Sequence, residues 1–374
     1  MIPLNSNLDS LQRSGIRQFT NLAKTVPDCV LLTLGEPDFS TPDSIKSAAV
    51  AALEADRTHY APNQGVDALR QKIAACETAR GMVCNDRQVL ITAGATGALF
   101  TALLGILNPG DEVIVPAPAF PLYESIVTVA GAKTVYYDLK ATKWQITADA
   151  LSALITPKTK AIVLNSPHNP SGTVLSAESL DTVKRAVLGK PIFVICDNVY
   201  DSLSAGCPDL STDADLRHQL LLCQSFSKRC AMTGWRVGYL IGPESVMERL
   251  LLLHAAEVAC IPTFAQDACT VALDEDVTAM AETYARRRAY ACTRLSEMGL
   301  AYPQPEGAFY IFPDISRFGM TDDEFCRKLI VDGGVAAVPG GCFGCEGHIR
   351  ISFCCSDERL KAGLDRLESF LKTL

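Results

Sequence analysis

The residues best equipped for chemistry in this sequence stand directly after runs of apolar residues. Lys228 follows LLLCQ, with Ser225 and Ser227 beside it and Arg236 shortly beyond. A primary amine placed there, near a guanidinium, can act as a nucleophile beside a bound anion. Taken singly, a lysine is as readily a surface residue. Asp197 follows PIFVIC, and a carboxylate at the end of an apolar strand is costly unless paired or hydrogen-bonded. Capping the next helix is its plainer role. Asn169 belongs to Asn165-Ser166-Pro167-His168-Asn169-Pro170-Ser171-Gly172, where the prolines stiffen the path and can preorganise Asn169 as a donor. An ordinary turn is the alternative. After QVLIT comes Ala93-Gly94-Ala95-Thr96-Gly97. Small residues opening a helix expose backbone N–H groups and the positive end of its dipole, which together cradle a phosphate. A tight turn with close helix packing explains the same residues. The stretch is neither a Walker loop nor a GxGxxG fingerprint.

These residues need a scaffold that brings strand ends together. The runs QVLIT, EVIVP, TVYYD, KAIVLN, PIFVICD, LLLCQS and GYLIG read as strands. They alternate with helical stretches such as ATGALFTALLGIL and SAESLDTVKRAVL. That order predicts βαβ units around a mostly parallel sheet. Most runs are apolar at consecutive positions, as expected when helices cover both faces. Ligands of such sheets bind beyond the carboxyl ends of the strands, where the polar residues fall. After about Leu273 the pattern changes to a charged helix (TYARRRAYACTRLSEMG), a strand-rich stretch (GAFYIFPDI), a helix (DDEFCRKLIVDGG), a strand (HIRISF) and a last helix. This reads as a smaller α+β domain completed by the N-terminal residues.

Composition narrows the function. The chain has 374 residues, 48% of them hydrophobic, enough for a large core and for two domains. A net charge of −8 with scattered basic residues leaves no electrostatic footprint for nucleic acid. No segment has the apolar length of a membrane span, and MIPLNSNLDSLQRSGIRQF lacks the pattern of a secretion signal. The cytosol is the expected location. The 15 cysteines are odd in number and irregular in spacing, which predicts reduced, mostly buried thiols rather than disulfides. Cys342 and Cys345 with His348 lack a second ligand pair at zinc spacing, so no metal is expected.

The constellation resembles the class I/II, fold-type I aminotransferases, which depend on pyridoxal 5'-phosphate (PLP). The similarity runs in register from Gly35-Glu36-Pro37-Asp38-Phe39 and Tyr60-Ala61-Pro62-Asn63-Gln64-Gly65 through the Asn165 loop, Asp197 to Tyr200, and Ser225 to Arg236. It continues to Gly307-Ala308-Phe309-Tyr310 and His348-Ile349-Arg350-Ile351-Ser352-Phe353. The resemblance implies an α/β, PLP-transferase type I fold. Residues 46–273 would form the large PLP-binding domain, and 1–45 with 274–374 the small one. It implies that Lys228 holds the cofactor as a Schiff base and serves as acid-base catalyst. Asp197 would pair with the pyridine nitrogen and keep it protonated. Asn169 and Tyr200 would hydrogen-bond the phenolic oxygen, and Phe120 would stack on the ring. Gly94, Ala95, Thr96, Ser225 and Arg236 would hold the phosphate, joined by Tyr60 of a neighbouring subunit, so a homodimer is implied. Arg350 would grip the substrate's α-carboxylate, helped by Gly35 and Asn169.

Two departures bear on this reading. Asn198 replaces the glutamate common after the aspartate, a side chain that is not a cofactor ligand. Thr96 stands where aspartate-specific members carry a lysine for the distal carboxylate, which argues against aspartate specificity. Ser14-Gly15-Ile16-Arg17, Tyr310-Ile311-Phe312-Pro313, Phe318-Gly319-Met320-Thr321 and Gly363-Leu364-Asp365-Arg366-Leu367-Glu368 are similar to bacterial aminotransferase A, or N-acetyl-LL-diaminopimelate aminotransferase. That kinship, together with the family's aromatic and dicarboxylic donors, defines the expected amino acid and 2-oxo acid substrates. A PLP-dependent C–S β-lyase is the alternative, because one carbanion serves both reactions. A ligand-sensing regulator would carry a DNA-binding domain or basic arm. A hydrolase or phosphotransferase reading finds no Gly-x-Ser-x-Gly and no Walker lysine.

Overall fold

A computed structural model describes residues 4–11, 15–204 and 206–374. Ser14 of the quoted Ser14–Arg17 stretch lies outside them. All seven strand runs enter one sheet. Across it they lie in the order Val89–Thr92, Gly238–Ile241, Leu220–Ser225, Phe193–Asp197, Thr159–Asn165, Glu112–Ala117, Lys133–Asp138. Gly238–Ile241 runs antiparallel to both of its neighbours, and the other pairings are parallel. The consecutive apolar residues are explained by two buried faces. Ile91, Ile114, Ile162, Val194 and Leu222 pack into one hydrophobic cluster. Leu90, Val113, Val163, Ile195 and Leu221 pack into another on the opposite side.

Local signals set the helix bounds. Ser176 caps Ala177–Val187 by accepting from the Ser179 N–H at 3.1 Å. Thr321 and Glu324 form a reciprocal capping box at the start of Asp322–Val331. A third cluster joins Phe19, Leu32, Tyr284, Phe309, Phe325, Ile349 and Leu364. Beside it, Val30–Leu31 pairs in parallel with Val335–Ala336. Val338–Pro339, Ile349–Ser352 and Tyr310–Ile311 form an antiparallel sheet.

The strand-rich stretch GAFYIFPDI yields only Tyr310–Ile311 as strand. Glu306 and Gly307 donate instead to the Gly172 carbonyl, at 2.8 and 2.9 Å, and Ala308 takes a φ of +54°. Pro313 has no N–H to extend the ladder. Six of the 15 cysteines are buried and nine are half-buried, fewer buried than expected, and none is in a disulfide.

The parallel strands place Thr92, Ala117, Asn165, Asp197 and Ser225 at one edge of the sheet. The antiparallel strand brings its first residue there too, since Gly238 pairs with both Thr92 and Ser225. Arg236 therefore arrives at the same edge as Gly94 and Lys228. Among the described residues no helix is long and apolar enough to cross a membrane.

Candidate active site

Lys228 lies in the short helix Phe226–Arg229, capped by Ser225, whose hydroxyl oxygen accepts from the Ser227 N–H at 3.0 Å. Its Nζ donates to the Gly35 carbonyl at 2.5 Å and stands 5.7 Å from the centre of the Phe309 ring. Burial, aided by the positive charges of Arg350 and Arg236, pulls its pKa down to about 8. A lysine so placed is partly neutral near pH 8, and only the neutral amine is a nucleophile or base.

Asp197 is 4% exposed at the end of its strand. Tyr123 donates to its Oδ2 at 2.6 Å, whereas Oδ1 is buried without a partner. Burial pushes its carboxyl up to about 6, against the opposing hydrogen bonds of Tyr123 and Val199 and the charge of Lys228. Asn165 fixes the adjoining strand end. Its side-chain N–H donates to the Asp197 carbonyl at 2.9 Å, and its Oδ1 accepts from the Asn169 N–H at 2.9 Å.

Arg350 is 2% exposed and sandwiched between Tyr310 and Phe343, 4.4 and 4.8 Å from their ring centres. Nη1 donates to Asn169 Oδ1 at 2.9 Å and Nη2 to the Thr33 carbonyl at 2.6 Å. Nε is buried with no partner, and among the described residues the hydrogen bonds of this cation go to an amide oxygen and a carbonyl, not to a carboxylate. An unpaired buried guanidinium is expensive, and an anionic ligand restores the balance. Tyr200 is buried, with its hydroxyl 3.0 Å from that of Tyr310. A Cβ on Gly35 would overlap the Tyr310 hydroxyl oxygen, so only glycine fits there.

The helix Gly94–Ile106 begins without a side-chain cap, leaving the N–H groups of its first turn for a ligand. Gly94 has a φ of +68°, and a Cβ there would meet Arg236 Nη2 at 2.9 Å. Arg236 itself takes a left-handed φ of +56°, and its Nη1 donates to the Thr233 carbonyl at 2.9 Å. Ala95 is half-buried and Thr96 exposed at this terminus. Phe120 is half-buried, edge-on to Tyr123 at 6.1 Å. The neighbouring Ala119 N–H donates to the Phe343 carbonyl at 2.8 Å. Tyr60 is 92% exposed on the single chain. Among the described residues no group of three or more His, Cys, Asp or Glu is arranged to hold a metal ion.

Comparison with known proteins decides the family. The family described as "Aminotransferase class I and II" matches residues 27–367. The chain belongs to this family. Class I and II aminotransferases depend on PLP, and this chain is a PLP-dependent aminotransferase. It is 40% identical to the probable N-acetyl-LL-diaminopimelate aminotransferase of Bacillus subtilis (strain 168), across 98% of this chain and 95% of that one. It is 35% identical to aromatic-amino-acid aminotransferase 2 of Thermococcus litoralis, across 99% and 98%. The crystal structure of aspartate aminotransferase from Thermotoga maritima superposes with a TM-score of 0.95, at 34% identity, covering 99% of this chain and all of that one.

The aminotransferase cofactor fits the residues present. Asp197 Oδ1 is a buried acceptor with no partner, of the kind a protonated ring nitrogen needs, and the uncapped helix beside Arg236 offers N–H groups and a cation, of the kind a phosphate needs. Sequence reasoning missed Tyr123 and gave no role to Tyr310, Phe309 or Phe343. Tyr123 was reachable, three positions after Phe120 on the helix that follows it, and Tyr310 lies within the quoted GAFY stretch. Nothing local in the sequence singles out Phe343.

Proposed function

We propose that the enzyme exchanges an amino group between an L-amino acid and a 2-oxo acid at the strand-end site, with Lys228 as the covalent anchor and proton shuttle. The observation that carries this is a half-buried amine of lowered pKa beside a buried carboxylate with one free oxygen. When bound, PLP supplies the electron sink that makes a donor's α-hydrogen removable as a proton. Lys228, once the donor takes its place, receives that proton on its neutral amine and returns it elsewhere on the same framework.

Asp197 holds a positive charge at the ring nitrogen. Asn169 and Tyr200 serve the phenolic oxygen, Phe120 stacks on the ring, and Gly94, Ala95, Thr96, Ser225 and Arg236 hold the phosphate. Arg350 fixes the α-carboxylate from its aromatic sandwich, with Asn169 and the Gly35 backbone beside it. In this reading Tyr60 serves the phosphate of a partner subunit, which suits an aromatic 92% exposed on the single chain. The active unit is then a cytosolic homodimer. Residues 46–273 form its large domain, and 1–45 with 274–374 its small domain.

N-acetyl-LL-diaminopimelate is the first donor to test, followed by aromatic and dicarboxylic amino acids. Thr96 at the helix terminus offers no cation to a short distal carboxylate. The test is a half-reaction: donors are mixed singly with the enzyme, without acceptor, and the cofactor spectrum is followed. Conversion to the pyridoxamine form by a donor supports the reading and ranks substrates. Release of ammonia with return to the aldehyde form marks a β-lyase instead.

A further inference from the structure

The segment between Leu32 and Thr41 has an unusual anchorage. Leu32 closes the last ladder contacts, its N–H donating to Ala336 and its carbonyl accepting from Ser352, each at 2.9 Å. Among the described residues, no backbone-to-backbone hydrogen bond then involves Thr33 to Thr41. Side chains hold it instead. Three consecutive carbonyls accept from side chains, two of them from the site: Thr33 from Arg350 at 2.6 Å, Leu34 from the Cys354 thiol at 3.1 Å, and Gly35 from Lys228 at 2.5 Å. The segment is thus a rail against which the carboxylate-binding arginine and the catalytic lysine are both aligned.

A rail without a ladder must be fixed at its ends. At one end the Thr33 hydroxyl meets that of Thr20 at 2.9 Å. At the other, the Thr41 hydroxyl donates to the Ala231 carbonyl at 2.8 Å and accepts from Trp235 Nε1 at 3.2 Å, and between the ends Arg287 grips Asp38 in a two-pronged pair, Nη1 to Oδ1 at 2.7 Å and Nη2 to Oδ2 at 2.9 Å. Its Nε donates to Asp357 Oδ1 at 2.7 Å, at the start of the helix Asp357–Leu371. Arg287 is 7% exposed and lies 5.8 Å from the centres of both the Phe39 and Tyr284 rings. Tyr284 in turn packs on Phe309, the ring beneath the Lys228 amine. A planar fork of this kind fixes direction as well as distance, which a lysine at the same place cannot do.

We infer that Arg287 is a positioning residue for transamination, acting through Asp38 to hold the Thr33–Gly35 carbonyls against Arg350 and Lys228. It touches neither substrate nor cofactor. Thr41, held by Ala231 and Trp235, and Glu36, held by Thr233, keep their contacts when the fork is lost, so its loss loosens the stretch around Asp38 and lets the adjoining carbonyls shift against Lys228 and Arg350, although Arg350 keeps Asn169. Displacement of reacting groups by about an ångström costs on the order of 10²-fold in rate. The inference rests on the assignment of Lys228 and Arg350.

The test uses the holoenzyme and four variants. R287M removes the fork and the Asp357 contact, R287K keeps the charge without the fork, and D38N keeps the shape without the charge. D357N removes only the outer contact. Three quantities are read: kcat and KM with the best donor, thermal stability, and equilibrium binding of that donor's α-methyl analogue, which has no α-proton to lose. R287M and D38N are expected to lower kcat/KM by about 10–10²-fold and to weaken the analogue in step, with R287K intermediate. D357N is expected to lose thermal stability while its kinetics stay within about twofold. If R287M does not fold, D38N decides by the same criteria. Variants that lose stability but keep kcat/KM and analogue binding overturn the inference, as does a D357N whose kinetic loss equals that of R287M. Borohydride reduction of the wild-type holoenzyme separates the two levels, since a label on any lysine but Lys228 removes the site assignment itself.

Discussion

Replacing Asp197 with asparagine isolates one charge in the site. In the cofactor-free protein, burial raises this carboxyl from 3.8 to about 6. The sign follows from which form the fold disfavours. The folded state prefers the protonated acid, so stability declines as pH rises from the unfolded value through about 6, and the full loss persists above it. At 1.36 kcal/mol per pH unit, the loss reaches about 3 kcal/mol at pH 7.5. About 1 kcal/mol of it is already present at pH 4.5. Asparagine is neutral throughout and escapes this loss. It still accepts from Tyr123, while its amide brings a fixed penalty that does not vary with pH. Urea denaturation of both cofactor-free proteins across this range should therefore show D197N gaining about 2 kcal/mol relative to wild type between pH 4.5 and 7.5. Saturating PLP should reverse the ranking, because the wild-type charge then acquires its partner, and turnover of the variant should fall by about 10²–10³-fold. A stability difference that stays constant with pH would refute the claim that Asp197 is a desolvated charge awaiting a cation.

Lys228→Ala should abolish turnover and leave any retained PLP unlinked, as mass spectrometry of the borohydride-treated protein would reveal. The rate at which cofactor-free enzyme captures PLP should rise with the neutral amine fraction through an apparent pKa of about 8. A rise only near the ordinary lysine value of 10.5 contradicts the burial argument. Arg350→Ala leaves Asn169 Oδ1 and the Thr33 carbonyl without their donor. Truncating a buried, hydrogen-bonded charge costs about 2–5 kcal/mol, so KM for every amino donor should rise by at least about 10-fold while kcat changes less. Unchanged KM values across the donor panel would count against a carboxylate-binding role. Gly35→Ala places a methyl against the Tyr310 hydroxyl. It should cost about 1–3 kcal/mol of stability and lower kcat/KM, and a crystal structure with Tyr310 unmoved would be the contrary result.

The strands of the large sheet and the candidate residues at their ends were legible in the order of residues alone. Apolar runs such as KAIVLN and PIFVICD are long and doubly buried, and turn residues follow them directly, so strand and loop were legible from local pattern alone. Lys228, Asp197, Asn169 and Gly94 could be singled out because each lies at, or within four residues of, the carboxyl end of a strand. Which of them meet depends on how distant parts of the chain pack. Arg350 reaches Asn169 across 181 residues of chain and Thr33 across 317, and Tyr123 reaches Asp197 across 74. The sandwich of Arg350 between Tyr310 and Phe343, the rail held by Arg287 and the two-residue strand Tyr310–Ile311 belong to the same class of facts. Periodicity and turn chemistry record what a residue does to its near neighbours, whereas these contacts depend on where separate elements pack. A buried cation without a carboxylate and a carboxylate with a spare oxygen become visible only once every neighbour is in place.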